Sequence, residues 1–134
     1  MKQLTIDVEP DDYTVARLDR AVPVDALPLD LPKPAFVSVT RTAEGELSLV
    51  CPTEFAPAAA VAEPGWRLLS VRGPLEFTLT GIMAALAGAL AAAGVALFAV
   101  STFDTDHLLV KQHDLESAVR ALRAAGHRVH LPTP

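Results

Sequence analysis

Residues 73–111, GPLEFTLTGIMAALAGALAAAGVALFAVSTFDTDHLLVK, decide the fold. Gly73 and Pro74 open a loop. From Gly81 to Ala93 the strong hydrophobes Ile82, Met83, Leu86 and Leu90 recur at spacings of three and four, which places them on one stripe of a helix. The remaining positions are nearly all Ala and Gly, so other backbone can approach closely. Gly94, free to enter the left-handed region, ends the helix. Val95 to Thr102 then reads as a buried strand, Asp104 and Thr105 as a turn, and Asp106 to Lys111 as a returning strand. A helix flanked by strands of one sheet cannot bury itself alone, so the rest of the chain must complete that sheet.

Working outward, Asp114 is placed to cap a second helix whose apolar face is Leu115, Ala118, Val119 and Leu122. Glu116 and Arg120 sit four apart on its outer face, and Gly126 stops it. Arg128 to Leu131 supplies a last short strand, and Trp66 to Arg72 supplies one before the loop. The order from residue 66 is therefore strand, helix, strand, strand, helix, strand. That is the α+β class and the ferredoxin-like βαββαβ plan, with an antiparallel sheet expected.

The segment before it predicts strands and no long helix. Leu4, Ile6 and Val8 alternate with Thr5 and Asp7, and Tyr13 to Leu18 is rich in β-formers, so two strands paired with each other are expected. Pro23, Pro28, Pro32 and Pro34 hold Ala21 to Pro34 to a loop with at most one short turn of helix. Phe36 to Thr42 and Glu46 to Cys51 read as a hairpin across Ala43, Glu44 and Gly45. Residues 52–64 are Ala- and Pro-rich, with a short helix expected around Ala58 to Ala62. FVSVTRTAEGELSLVC from Phe36 echoes LFAVSTFDTDHLLVK from Leu97, so the chain reads as a duplication. Residues 1–65 form a degenerate first copy, its first helix replaced by the Pro-rich loop, packed with residues 66–134 as one compact unit.

Composition narrows the function. The 134 residues carry a net charge of −5 with dispersed basic residues, which argues against a general electrostatic grip on nucleic acid or an anionic membrane. Gly81 to Val100 carries no charge and has the length of a membrane span. Yet it is mostly Ala and Gly, its strong hydrophobes each contribute only about 0.3 to 0.6 kcal/mol to insertion, and no basic cluster flanks it. One cysteine, Cys51, excludes an internal disulfide, and the N-terminus lacks the pattern of a signal peptide, so a cytoplasmic setting is expected. No phosphate-binding or dinucleotide-binding glycine pattern occurs, no nucleophile has a base near it in sequence, and no cofactor is implied. Cys51 reads as a small core residue, and His113, His127 and His130 as surface residues.

The loop GPLEFTLTGI, the hairpin AGVALFAVSTFDTDHLLV and the helix DLESAVRALRAAGH resemble an ACT domain, the small regulatory fold that binds amino acids in many metabolic enzymes. The whole chain is similar to a stand-alone bacterial protein of two tandem ACT-like halves, like the ACT pairs of aspartate kinases and of cytosolic arginine sensors. The resemblance implies a ligand-binding or regulatory role, with an amino acid as the expected ligand and pairing of such units into a homodimer, and no enzyme is expected. The alternatives are a structural interaction module with an empty pocket and a small enzyme on a ferredoxin-like scaffold. The residues that match are Thr80, Gly81 and Ile82, with Ser101, Thr102, Phe103, Asp104 and Asp106 in the hairpin.

The residues themselves admit two readings at each place. A loop that leads into a helix N-terminus offers free amides and the positive end of the macrodipole to a carboxylate; equally, Thr78 or Thr80 caps the helix and Gly81 relieves a turn. Ser101, Thr102 and Asp104 can hold an ammonium group, or Asp104, Thr105 and Asp106 are ordinary turn residues. Asp104, Asp106 and His107 do not make a metal site on an extended strand, because neighbouring side chains point to opposite faces.

Overall fold

The computed structural model describes residues 3–58, 61–75 and 81–133, which form two compact units. One, the helix-bearing unit, comprises Met1–Pro10 with Arg67–Pro134. The other, the hairpin unit, comprises Asp11–Trp66. The strands are β1 (Thr5–Val8), β2 (Tyr13–Leu18), β3 (Ser38–Arg41), β4 (Leu47–Pro52), β5 (Val61–Val71), β6 (Leu97–Ser101), β7 (Asp106–Lys111) and β8 (Arg128–His130). The α-helices are α1 (Ile82–Ala92) and α2 (Leu115–Ala124). The long strand β5 gives its first half to the hairpin unit and its second half to the helix-bearing unit.

In the helix-bearing unit β5, α1, β6, β7, α2 and β8 follow the expected βαββαβ order, so the unit is an α+β, ferredoxin-like fold. Its sheet departs from the expectation in one respect. Residues 1–10 pack here, and β1 lies between β5 and β8, antiparallel to the former and parallel to the latter. The wholly antiparallel sheet and the pairing of β1 with β2 are thereby corrected. The cause is visible in the packing. Ile6 and Val8 are buried in one core with Leu69, Val71, Leu86, Leu90, Leu108, Val110 and Leu122, beneath both helices. Arg72 holds Asp7 through two N–H···O bonds at 2.7 and 3.1 Å. The amide of Leu4 donates to Nδ1 of His127 at 3.1 Å, and the amide of Arg128 donates to the Leu4 carbonyl at 2.9 Å. His127 is therefore buried rather than on the surface, and its burial pushes the imidazole below its ordinary pKa.

Two further corrections concern α1 and α2. The strand after α1 is a half-exposed edge, because β6 pairs with β7 alone among the described strands. Asp114 stands at the start of α2 but makes no side-chain capping bond, since a 3-10 turn, Gln112–Asp114, leads into the helix and gives Asp114 helical backbone angles. The apolar face of α2 is as read, with Ala118, Val119 and Leu122 buried, and Arg120 stands 3.6 Å from Glu116.

The hairpin unit orders its strands β3-β4-β2-β5. Its core gathers Ala16, Leu18, Leu47, Leu49 and Cys51, and Leu27 from the Pro-rich loop covers them. Tyr13 packs edge-on against Phe36 and accepts that residue's amide N–H at 3.3 Å. Among its described residues the unit contains two 3-10 turns and no α-helix. Val61 and Ala62 lie in β5, where the end of a short helix was expected, because they pair with Arg17 and Ala16 of β2; residues 59–60 of that expected helix lie outside the described residues. Burial pushes the Cys51 thiol up to about 11, in keeping with an inert core residue.

Candidate functional site

Three chain segments of the helix-bearing unit converge on one cleft of about 430 Å³. The first is the end of β5 and the loop after it. Gly73 approaches the β6–β7 turn so closely that a Cβ on it would stand 3.0 Å from both the Asp104 carbonyl oxygen and the Thr105 Cβ, so a larger residue would push the turn back by a few tenths of an ångström. The amide of Leu75 donates to the Asp104 carbonyl at 2.7 Å, and the Thr105 hydroxyl donates to the Val71 carbonyl at 2.7 Å. These contacts tie the turn to the end of β5.

The second segment is the turn itself. Ser101 donates its hydroxyl to Asp106 Oδ1 at 2.6 Å, while the Thr102 amide donates to the Thr105 carbonyl at 2.8 Å. Thr102 Oγ1 accepts the Thr105 amide at 3.3 Å and donates to its carbonyl at 3.1 Å. Asp104 has no side-chain partner among the described residues, and its carboxylate is exposed. Phe103 is 78% exposed at the rim.

The third segment is the start of α1. Gly81 takes the left-handed conformation, with φ of 78°, and its carbonyl accepts the first intrahelical bond, from Ala85 at 2.9 Å. The amides of Ile82, Met83 and Ala84 are among those a helix leaves without an intrahelical acceptor, and Thr78 and Thr80, the alternative caps, lie outside the described residues. All three residues line the cleft.

The cleft therefore has two sides of opposite preference. The helix start presents amide hydrogens at the positive end of the macrodipole; the turn presents the Asp104 and Asp106 carboxylates with the Ser101 hydroxyl. No Lys or Arg is among its described lining residues. Of the residues read from the sequence, Gly81, Ile82, Ser101, Thr102, Phe103, Asp104 and Asp106 come together here, and Thr80 lies outside the described residues. Leu75, Met83, Ala84 and Thr105 also line the cleft, and the sequence reading missed them. Only Gly73–Pro74 signalled in the sequence that backbone meets backbone at this point.

His107 parts company with its neighbour Asp106. Its Nδ1 stands 2.9 Å from Ser70 Oγ on β5, and burial lowers its pKa despite the Asp106 charge. Among the described residues no group of three or more His, Cys, Asp or Glu side chains is disposed to hold a metal. No helix among them is long and apolar enough to cross a membrane.

The comparisons with known proteins agree with this architecture. The ACT domain family model matches residues 61–124, and a separate model for an N-terminal domain matches residues 11–59. The human cytosolic arginine sensor for mTORC1, subunit 1, is 33% identical over 89 residues, which are 66% of this chain but only 26% of that protein. The chain thus spans about a quarter of the length of the curated relatives it matches. A crystallised protein of Agobacterium tumefaciens is 35% identical, with a TM-score of 0.84 over 100% of this chain and 97% of its own. The ligand-free regulatory subunit of aspartate kinase from Thermus thermophilus has the same fold, at 13% identity and a TM-score of 0.68, over 93% of this chain and 99% of its own. With a βαββαβ unit of this order and a family model lying across it, residues 61–124 of the chain are an ACT domain.

Proposed function

We propose that the chain is a non-catalytic regulatory module that binds a free amino acid in the cleft between the start of α1 and the β6–β7 turn. The observation that carries this reading is the opposition across one cleft of the N-terminal amides of α1 at Ile82 to Ala84 and the carboxylates at Asp104 and Asp106. A zwitterion needs that pair of environments. Its carboxylate sits on the helix amides, an interaction worth up to about 2 kcal/mol when sheltered. Its ammonium group sits among Asp104, Asp106 and the Ser101 hydroxyl, and Gly81, with no side chain, lets the ligand reach the backbone. The likeness to an arginine sensor and the aspartate kinase fold support an amino acid as the class of ligand. We read the hairpin unit as a degenerate ACT-like half without a ligand of its own. The open edge of β6 and the exposed Phe103 beside it favour pairing with a second copy, so a homodimer is expected in sedimentation.

A thermal-shift series over the twenty amino acids tests the reading. A ligand that binds only the native state, at a hundred times its dissociation constant, adds about 2.7 kcal/mol. For a chain of this size that raises the melting temperature by several degrees. A flat response to all twenty at millimolar concentration would overturn amino-acid binding.

A further inference from the structure

A second depression lies along α2, a groove of about 570 Å³ that shares no described lining residue with the cleft. Its floor is apolar. Leu115 is partly buried and Val119 nearly wholly so, while Leu131, just past β8, is 55% exposed. Donors flank that floor. Arg123 is held by an N–H···O bond to the Val129 carbonyl at 2.7 Å, which uses one of the guanidinium's five donors and leaves the rest. Gln112 accepts from Arg67 through Oε1 at 3.2 Å, which leaves its amide NH₂ as the free end.

Arg120 is 69% exposed and faces Glu116 at 3.6 Å. Such an exposed pair on one helix face is weak, so Arg120 exchanges Glu116 for a better carboxylate at little cost. Glu116 is the one acid among the lining residues, opposed by Arg120 and Arg123. On a chain of net charge −5 this is a local reversal of sign. The volume is in the range of small-molecule sites, and such sites join apolar walls to a few placed polar groups.

We propose that this groove binds small carboxylates with an aliphatic body, the carboxylate on Arg120 and Arg123 and the hydrocarbon on Leu115, Val119 and Leu131. The proposal does not rest on the amino-acid reading of the cleft. Amide-resolved NMR titration of the full chain with hexanoate, with hexylammonium as its charge-reversed control, tests it. Hexanoate is expected to shift the amides of residues 112–123 and 131 saturably, and hexylammonium to leave them in place. Arg120→Met should weaken hexanoate about tenfold, the loss of a hydrogen bond to a charged group. Glu116→Gln, which removes the competing carboxylate, should tighten it about threefold, the scale of an exposed ion pair. Both side chains are exposed, so both variants should keep the parent spectrum elsewhere. The proposal is overturned if hexanoate gives no saturable shift, if hexylammonium shifts the same amides equally, or if both variants bind hexanoate as the parent does. Shifts confined to Gly81 and residues 101–106 would place the carboxylate in the cleft, defeating the groove while leaving the cleft reading intact.

Discussion

The hairpin of β3 and β4 and the hairpin of β6 and β7 are built from similar material. Each has a threonine just past its outgoing strand that bonds across the turn. Thr42 Oγ1 accepts the Glu46 amide at 3.1 Å, and Thr102 Oγ1 accepts the Thr105 amide at 3.3 Å. Each returning strand buries aliphatics, Leu47 and Leu49 in one and Leu108 and Val110 in the other. They differ in what the turn touches. The first lies against a side chain, with Gly45 so close to Arg20 that a Cβ would stand 2.9 Å from its Cδ, while Arg41 donates to the Arg20 carbonyl at 3.1 Å. The second is bonded to backbone at the end of β5 and shares a cleft with the start of α1. A turn with hydroxyls and a carboxylate is therefore not yet a site. In this protein the second side of the proposed site comes from the neighbouring helix.

The comparison breaks most sharply at the two cores. Leu49 and Leu108 are both fully buried, so Leu49→Ala and Leu108→Ala should each cost about 2–5 kcal/mol in urea denaturation. Only Leu108 packs in the core that carries Ile82 and Leu86 at the start of α1, so only its variant should lose amino-acid affinity while still folded. Equal loss of binding in both would mean that the cleft does not depend on the helix above its own hairpin. At the turns themselves, Asp104→Asn should weaken a bound amino acid by about 1.5–3 kcal/mol, as for a hydrogen bond to a charged group. Glu44→Gln, the matching change in the first turn, should leave calorimetric binding unchanged.

Much of this was legible in the sequence, and the reasons are local. Ile82, Leu86 and Leu90 share a helical stripe because the period of a helix is fixed by its backbone, and Gly94 and Gly126 mark stops because they take positive φ. The βαββαβ order and the gathering of Gly81 with Ser101 to Asp106 follow from that order. The insertion of β1 between β5 and β8 was not legible. Ile6 and Val8 alternate as they would against any core, and nothing in a period-two pattern says which strand comes alongside. His127 was missed for a related reason, since its partner is an amide 123 positions away at Leu4. The exposure of β6 was missed because Val95 to Val100 is apolar throughout, and apolar sequence does not distinguish an edge strand from a central one. The groove on α2 was invisible because its Leu131 floor comes from beyond β8.

The left-handed glycines sharpen the comparison next. Gly81 and Gly45 have φ of 78° and 96°, so a valine at either should cost about 1–2 kcal/mol of stability for the left-handed backbone alone. At Gly81 a Cβ meets nothing within 4 Å among the described residues, so the backbone term dominates and the fold should survive. At Gly45 the Arg20 side chain must also move, and the loss should be somewhat larger. Binding separates them in the opposite order: Gly81→Val should exclude the ligand from the helix amides, whereas Gly45→Val should bind as the parent does. Calorimetry on both variants, beside their melting curves, decides it.

The smallest difference expected lies in the two threonines. Replacing either by valine keeps the shape of the side chain and removes the hydroxyl's bonds across the turn, one at Thr42 and two at Thr102, each a net cost of about 0.5–1.5 kcal/mol. Thr42→Val and Thr102→Val should therefore both lower the melting temperature, Thr102→Val by the larger amount, because all three bonds close a hairpin. Their effects on the ligand should differ in kind. The Thr102 bond sets the Thr102–Thr105 turn, on which Asp104 stands and from which Thr105 reaches Val71, so its loss should loosen the carboxylate and weaken binding modestly. Thr42 is not among the residues that line the cleft, so Thr42→Val should leave affinity unchanged. If Thr102→Val lowers stability as Thr42→Val does and leaves affinity untouched, the turn does not position Asp104, and the acid side of the site must rest on the Ser101–Asp106 pair alone.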